Sequence, residues 1–401
     1  MLQIYRYNVV ARTPCVLFEY VHGGVLRLVI TSYSGNRLRI FTLGYFMNSA
    51  TLILDNGSHF NAIAHNLAHE LISGEVVFNT GMTGYEETLT DPSYAGQILV
   101  FTYPLLGNYG VSTAQNWESA RIQVKAVICA NLIHETAHHD CEHSLLHCLH
   151  KQNIPVLSGI DTRELTKILR DNGTMNGKIK LTDTTTTPQT QPIPVENFVA
   201  QVSTKEIVYH GRGKYKILLI DFGVKQNIIR SLLNFDVTIK QVPFDYDYSH
   251  EQCDGILLSN GPGDPKACSH SINILKAALE NNIPIFGICL GSQLLGLAAG
   301  ADTYKLKFGH RGQNQPVQDI QNLRCYLSSQ NHGYALCHNS LPDDWQITFS
   351  HLHDNSIAGI KHKNKPYSAV QFHPEAAAGP HDTAFLFNDF IQQVMTGAQQ
   401  K

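Results

Sequence analysis

From residue 216 onward, apolar runs alternate with amphipathic stretches. KILLIDFG (216–223) is a continuous apolar run that ends at Asp221 and Gly223, the pattern of a strand buried on both faces. VKQNIIRSLLNF (224–235) follows with helical spacing. Strands are then expected over 237–242 and 255–259, a helix over 271–280, and a strand over 284–288. This alternation predicts an α/β domain over 214–396 built on a doubly wound, mostly parallel sheet. Ligands of such sheets bind beyond the carboxyl ends of the strands. That rule points to the loops after Asp221, Ser259 and Ile288.

The first half reads as a mixed α/β domain over 47–180. NSATLILDNGSHF (48–60) is a strand, an Asn56-Gly57 hairpin signal and a second strand. Strands are expected over 74–79 and 98–102. DTRELTKILRDN (161–172) is a helix with Asp161 as its cap and Gly173 as its stop. LTDTTTTPQTQPIP (181–194) is a connector by composition, which places a linker over 181–213. Residues 1–46 stand apart, with five Arg against the single acid Glu19. They also hold β-rich pieces over 25–30 and 38–46. Three readings stay open for them: a start assigned upstream of a true start at Met47, which we favour, a targeting segment, or a genuine extension.

Composition narrows the class. Lys and Arg number 30 against 33 Asp and Glu, so the basic footprint of a nucleic-acid binder is missing. No apolar run reaches the ~18–20 residues of a membrane span. Nine Cys without a tight repeat do not form a disulfide framework. A reducing, cytoplasmic setting is expected, in which a single thiol can be catalytic.

IPIFGICLGSQLLGLAAG (283–300) carries the chemistry. Cys289 sits between Gly287 and Gly291 on a strand–turn–helix, a nucleophile elbow with Cys in place of Ser. Such a turn should expose the sulfur, and the helix N-terminus favours negative charge on it. The plain alternative is a structural cysteine. QFHPEAAAGP (371–380) supplies partners: in extended chain His373 and Glu375 point to one side, and Pro374 favours that geometry. A carboxylate beside an imidazole fixes its tautomer. The SNGPGDP loop (259–265) offers the unobstructed N–H groups of Gly261 and Gly263, suited to an oxyanion or a carboxylate, or serves only as a rigid turn.

These three pieces, in this order, resemble the class I (triad) glutamine amidotransferases. The resemblance implies Cys289 as nucleophile, His373 as general base and acid, and Glu375 as its orienting group. It implies oxyanion donors at Gly261 and Leu290. GEVVFNTGMTGYEETLTDPSYAGQILVFTYPLLGNYG (74–110), GIDTRELTKILRDNG (159–173), LIDFGVKQNIIR (219–230), KFGHRGQNQPV (307–317) and QNHGYA (330–335) resemble the carbamoyl-phosphate synthetase small-subunit family. That second resemblance runs from about 47 to 395. It implies glutamine contacts at Ser93, Gly261, Gly263, Leu290, Gln293, Asn331, Gly333 and Tyr334. It also implies a heterodimer with a large subunit that receives ammonia through a tunnel and makes carbamoyl phosphate for arginine and pyrimidine synthesis. ATP and magnesium would belong to that subunit, with no cofactor or metal in this one.

Two features need separate weighing. The family reads C-L-G-H-Q around the nucleophile, and here Ser292 replaces the His. That His is not the triad base, so hydrolysis should survive. HETAHHDCEHSLLHCLH (134–150) has metal-like spacing at His134 and His138, but also reads as a helix with Leu145, Leu146 and Leu149 inward. The helix is preferred. Two alternative functions remain at this stage: another Cys-His-Glu hydrolase on the same fold, and a non-catalytic partner-binding subunit.

Overall fold

The computed structural model describes residues 15–21, 25–34, 37–45, 47–66, 71–136, 138–181, 197–248 and 250–399. Strands Cys15–Val21, Val25–Ser34 and Arg37–Tyr45 form a three-stranded antiparallel sheet. The β-rich pieces expected over 25–30 and 38–46 fall in the last two; Phe46 lies outside the described residues.

A closed barrel follows, in the order Val156–Ser158, His59–His65, Met47–Leu54, Met175–Leu181, Leu71–Asn79, Gln97–Phe101 and Ala126–Ile128. The Asn56-Gly57 turn joins its first hairpin, with Gly57 at a positive φ. Gln97–Phe101 lies parallel to both neighbours, and its apolar side chains are buried on both faces. Ile98 and Val100 enter one core with Leu52, Leu165 and Leu169, while Leu99 and Phe101 enter another with Tyr85, Leu89 and Leu145. The helix Thr162–Asn172 starts as its sequence dictates: the Asp161 side chain accepts from Glu164 N–H, and the helix ends at Gly173.

The second half carries a ten-stranded sheet. Its order is Val208–His210, Val237–Pro243, Tyr215–Asp221, Gly255–Leu258, Ile285–Ile288, Tyr367–Val370, Ile357–His362, Trp345–His351, Thr303–Asp319 and Cys325–Leu336. The five strands from Val237–Pro243 to Tyr367–Val370 in that order are parallel. Antiparallel strands flank them on both sides, chiefly the long hairpin of Thr303–Asp319 and Cys325–Leu336. Alternation sorts the two faces. Ile217 and Leu219 pack with Ile229, Phe390 and Val394, and Leu218 and Ile220 pack with Leu275, Leu294 and Leu295. Helices therefore cover both sides, as a parallel sheet requires.

Two expectations change in detail. Of the linker expected over 181–213, residues 182–196 lie outside the described residues, but the rest is built in. Phe198–Val202 is a helix capped by Asn197, and Val208–His210 is an edge strand of the second sheet. The His-rich stretch forms a helix only over Leu145–Lys151, capped by Ser144. Leu145, Leu146 and Leu149 are buried as expected, and His147 and His150 are exposed. Residues 134–136 and 138–143 are not helical, so His134 and His138 do not share a helix face.

Candidate active site

Cys289 ends a buried strand and caps the helix Leu290–Ala299. Its backbone has φ 54° and ψ −105°, a conformation that a non-glycine residue holds only under constraint. The glycines beside it allow close approach. A Cβ on Gly287 would lie 2.7 Å from the Gly291 carbonyl oxygen, and one on Gly291 would lie 2.2 Å from that of Leu258. Gly291→Ala should therefore lower stability by about 1–3 kcal/mol and displace the thiol, which a thermal melt with a thiol-labelling rate would read. The sulfur is not surface-exposed as the elbow suggested; Cys289 is 2% exposed. It is reached through a cleft instead.

His373 Nδ1 donates to Glu375 Oε1 at 2.6 Å, and both side chains are buried. Its Nε2 makes no hydrogen bond and senses the Cys289 sulfur electrostatically, while the thiol itself donates to the Asn331 carbonyl at 3.6 Å. Burial alone would lower the His373 pKa, but the Glu375 charge and the Cys289 sulfur outweigh it and hold the group up at about 10. Burial pushes the Glu375 carboxyl the other way; Lys225 and His373 overcome that and pull it down to about 2. The carboxylate thus stays ionised, Nδ1 keeps its hydrogen, and Nε2 is the nitrogen that exchanges a proton.

Cys289 lines a cleft of about 350 Å³ between the two halves of the chain. All eight residues expected to contact glutamine line it too: Ser93, Gly261, Gly263, Leu290, Gln293, Asn331, Gly333 and Tyr334. Hydrogen bonds fix what several of them can offer. Ser93 Oγ accepts from Asn260 Nδ2 at 2.9 Å, which leaves its O–H to donate. Gln293 Nε2 donates to the Tyr334 carbonyl (2.8 Å) and to Gln371 Oε1 (3.0 Å). Its remaining group for a ligand is the carbonyl oxygen. Leu290 opens the helix, whose first N–H groups have no partner within it. Gly261 admits no side chain, since a Cβ there would lie 2.3 Å from the Phe222 carbonyl oxygen.

Several working residues are not marked by local sequence. Asp91 caps the turn Pro92–Tyr94 and accepts from Asn331 Nδ2 at 2.8 Å, tying the barrel half to the sheet half. Asp221 accepts from the N–H groups of Gly223 and Val224, and Asn260 Oδ1 accepts from Lys225 N–H; together they aim Lys225 inward. Lys225 Nζ lies 3.2 Å from Glu375 Oε1. Glu75, Asp264, Lys305 and Arg311 also line the cleft and bring charge to it; of these Arg311 is buried. The only sequence signal for Lys225 and Arg311 is that they fall within the motifs 219–230 and 307–317. Ser292 is buried on the nucleophile helix.

Two groups of side chains deserve a metal test. His138, His139 and Asp140 are all exposed. His310, His351 and Asp354 bring their ligand atoms within 4.8 Å of one another. Yet the rings of His310 and His351 are stacked, centroids 4.0 Å apart and only 11° from parallel. A nitrogen lone pair lies in its ring plane, so two stacked rings cannot aim at one ion. Asp354 instead bridges both rings, at 2.9 Å from His310 and 3.3 Å from His351.

Comparison with known proteins adds to this geometry. A family model described as "Glutamine amidotransferase class-I" matches residues 218–393, and one described as "Carbamoyl-phosphate synthase small chain, CPSase domain" matches 52–179. The arginine-specific small chain of carbamoyl phosphate synthase from Saccharomyces cerevisiae is 42% identical over 366 residues, 86% of this chain and 88% of that protein. Its Bacillus subtilis counterpart is 42% identical over 352 residues, 87% of this chain and 98% of that protein. The multifunctional protein CAD of Squalus acanthias is 46% identical over 356 residues; the alignment covers 86% of this chain but only 16% of that much longer protein.

Proposed function

The chain belongs to the carbamoyl-phosphate synthase small-chain family, and from that premise we propose that it hydrolyses glutamine and delivers the ammonia to a large chain. The observation that carries this reading is a cleft that brings a strained Cys on a helix N-terminus together with eight groups suited to an amino acid, backed by a buried His–Glu pair that acts on that Cys.

The steps follow from the geometry. His373 Nε2 takes the proton of the Cys289 thiol. The sulfur attacks the side-chain amide carbon of glutamine, and the N–H groups of Leu290 and Gly261 receive the oxyanion. His373 returns the proton to the departing nitrogen, the C–N bond breaks, and ammonia leaves a γ-glutamyl thioester. Water then gives a proton to His373 and attacks the thioester carbon, which releases glutamate and the thiol. No cofactor of this chain enters these steps. On this reading ATP and magnesium serve the large chain, which makes carbamoyl phosphate from ammonia and bicarbonate in a cytoplasmic heterodimer.

A second cavity supports the ammonia transfer. It has a volume of about 20 Å³, room for one small molecule, and His373 is part of its wall. Asp91, Lys225, Gln330 and Asn331 line it, and their polar groups suit ammonia. Among the described residues no helix is long and apolar enough to cross a membrane.

The test is glutamate release from glutamine, with and without a cognate large chain, bicarbonate and ATP. Weak release alone and strong stimulation in the complex are expected. Release from peptides or γ-glutamyl conjugates in preference to free glutamine would overturn the reading. The pH profile carries a further expectation. His373 must hold a proton for the leaving ammonia, and its value of about 10 lies above the ordinary range. Activity should persist well above pH 7 and be lost as pH rises through that region. A profile falling near pH 6.5, the ordinary imidazole value, would contradict the assignment.

A further inference from the structure

Glu118 belongs to the barrel half, on the loop that leads to strand Ala126–Ile128. Its carboxylate is completely buried. An acid buried to that extent needs charged partners, and all of those seen here come from the other half of the chain. Arg230 Nη2 donates to Oε1, Asn227 N–H donates to Oε2 at 3.1 Å, and Lys225 Nζ lies 4.0 Å from Oε2. The Glu118 carbonyl accepts from Gln226 N–H at 2.9 Å. Arg230 also donates to the carbonyls of Gln115 and Trp117, so the whole loop is clamped.

Two routes lead from Glu118 to the triad. Arg230 Nε donates to Asn227 Oδ1, and Asn227 Nδ2 donates to the Glu375 carbonyl. The other route is electrostatic. Lys225 sits between the carboxylates of Glu118 and Glu375, and Glu375 Oε1 faces both Lys225 and His373 Nδ1. The two cations compete for one oxygen. Glu118 draws part of the Lys225 charge away and leaves Glu375 for the imidazole.

We propose that Glu118 is a positioning residue for glutamine hydrolysis: acting across the domain interface through Lys225 and Arg230, it fixes the Glu375–His373 pair in its proton-transferring state. This rests on the function proposed above. The triad is then competent only when the barrel half is docked, although its three members all lie in the other half. The remaining ionisable groups facing this cluster are Asp91 from the barrel half, Cys289 on the elbow, and His332 and Arg311 on the long hairpin.

The test is Glu118→Gln in the full chain, with kcat and KM for glutamine measured from pH 8 upward. Burial pushes the Glu118 carboxyl up to about 7 against the pull of Lys225 and Arg230, so above pH 8 the wild-type group is ionised. Removing that negative charge destabilises the imidazolium. The alkaline limb of kcat should move to lower pH by about one unit, so that kcat near pH 10 falls about fivefold while kcat at pH 8 changes little, and KM should stay within about twofold. A loosened interface would act differently, because Ser93 and Asp91 come from the barrel half: KM would rise and the limb would stay. That pattern, or an unmoved limb with unchanged kcat, overturns the proposal. Arg230→Gln is the companion variant. It leaves Glu118 less compensated and should move the limb to higher pH. If Glu118→Gln does not fold, the direction of the Arg230→Gln shift decides, and no shift overturns the proposal. A wild-type chain that releases no glutamate removes the function reading and this inference together; an active wild type with unmoved variants removes only the inference.

Discussion

Cys289→Ala should lower glutamate release by at least about 10³-fold, with little loss of stability. Among the described residues no other thiol lines the cleft except Cys268, which burial pushes up to about 11 and which is not on the elbow. Ala removes the sulfur and little else. It keeps the same strained backbone, and the cavity it leaves opens toward the cleft. Rates and thermal melts on the same preparation separate lost chemistry from lost fold. A variant that melts normally yet keeps a tenth of the wild-type rate would show that the sulfur is not the nucleophile.

His373→Asn should cost about 10²–10⁴-fold in kcat, the usual range for removing a positioned acid–base group. The amide can preserve a contact with Glu375 but cannot carry a proton from sulfur to nitrogen. The alkaline limb assigned to His373 should vanish with it, since the group that titrates there is gone. The sign follows from the folded environment: Glu375 and the sulfur favour the charged ring, so its proton is retained to higher pH than in an unfolded chain and lost as pH rises. A variant with residual activity that kept the same alkaline limb would place that titration elsewhere.

Local signals carried much of this site. The Gly287–Cys289–Gly291 spacing works because the glycines meet backbone atoms directly, a constraint written within five residues. His373 and Glu375 pair because extended chain places alternate residues together. Asp161 was legible as a helix cap for the same kind of reason. Long-range features were not legible. Lys225, Glu118, Asp91 and Asn260 look like ordinary surface or turn residues until the two halves meet. Their roles depend on partners as far apart in the chain as Asp91 and Asn331. The burial of Cys289 has the same origin, since residues from both halves wall the cleft. The His-rich stretch misled because its leucines have helical spacing only at its end, while His134 and His138 precede the Ser144 cap.

Glutamine hydrolysis by this route requires covalent chemistry at one sulfur. Rapid acid quench of the chain with glutamine, followed by peptide mass spectrometry, tests it most directly. A γ-glutamyl group is expected on the peptide containing Cys289, formed before glutamate accumulates and absent from Cys289→Ala. Steady production of glutamate with no adduct at any quench time, or an adduct that persists in Cys289→Ala, would contradict it.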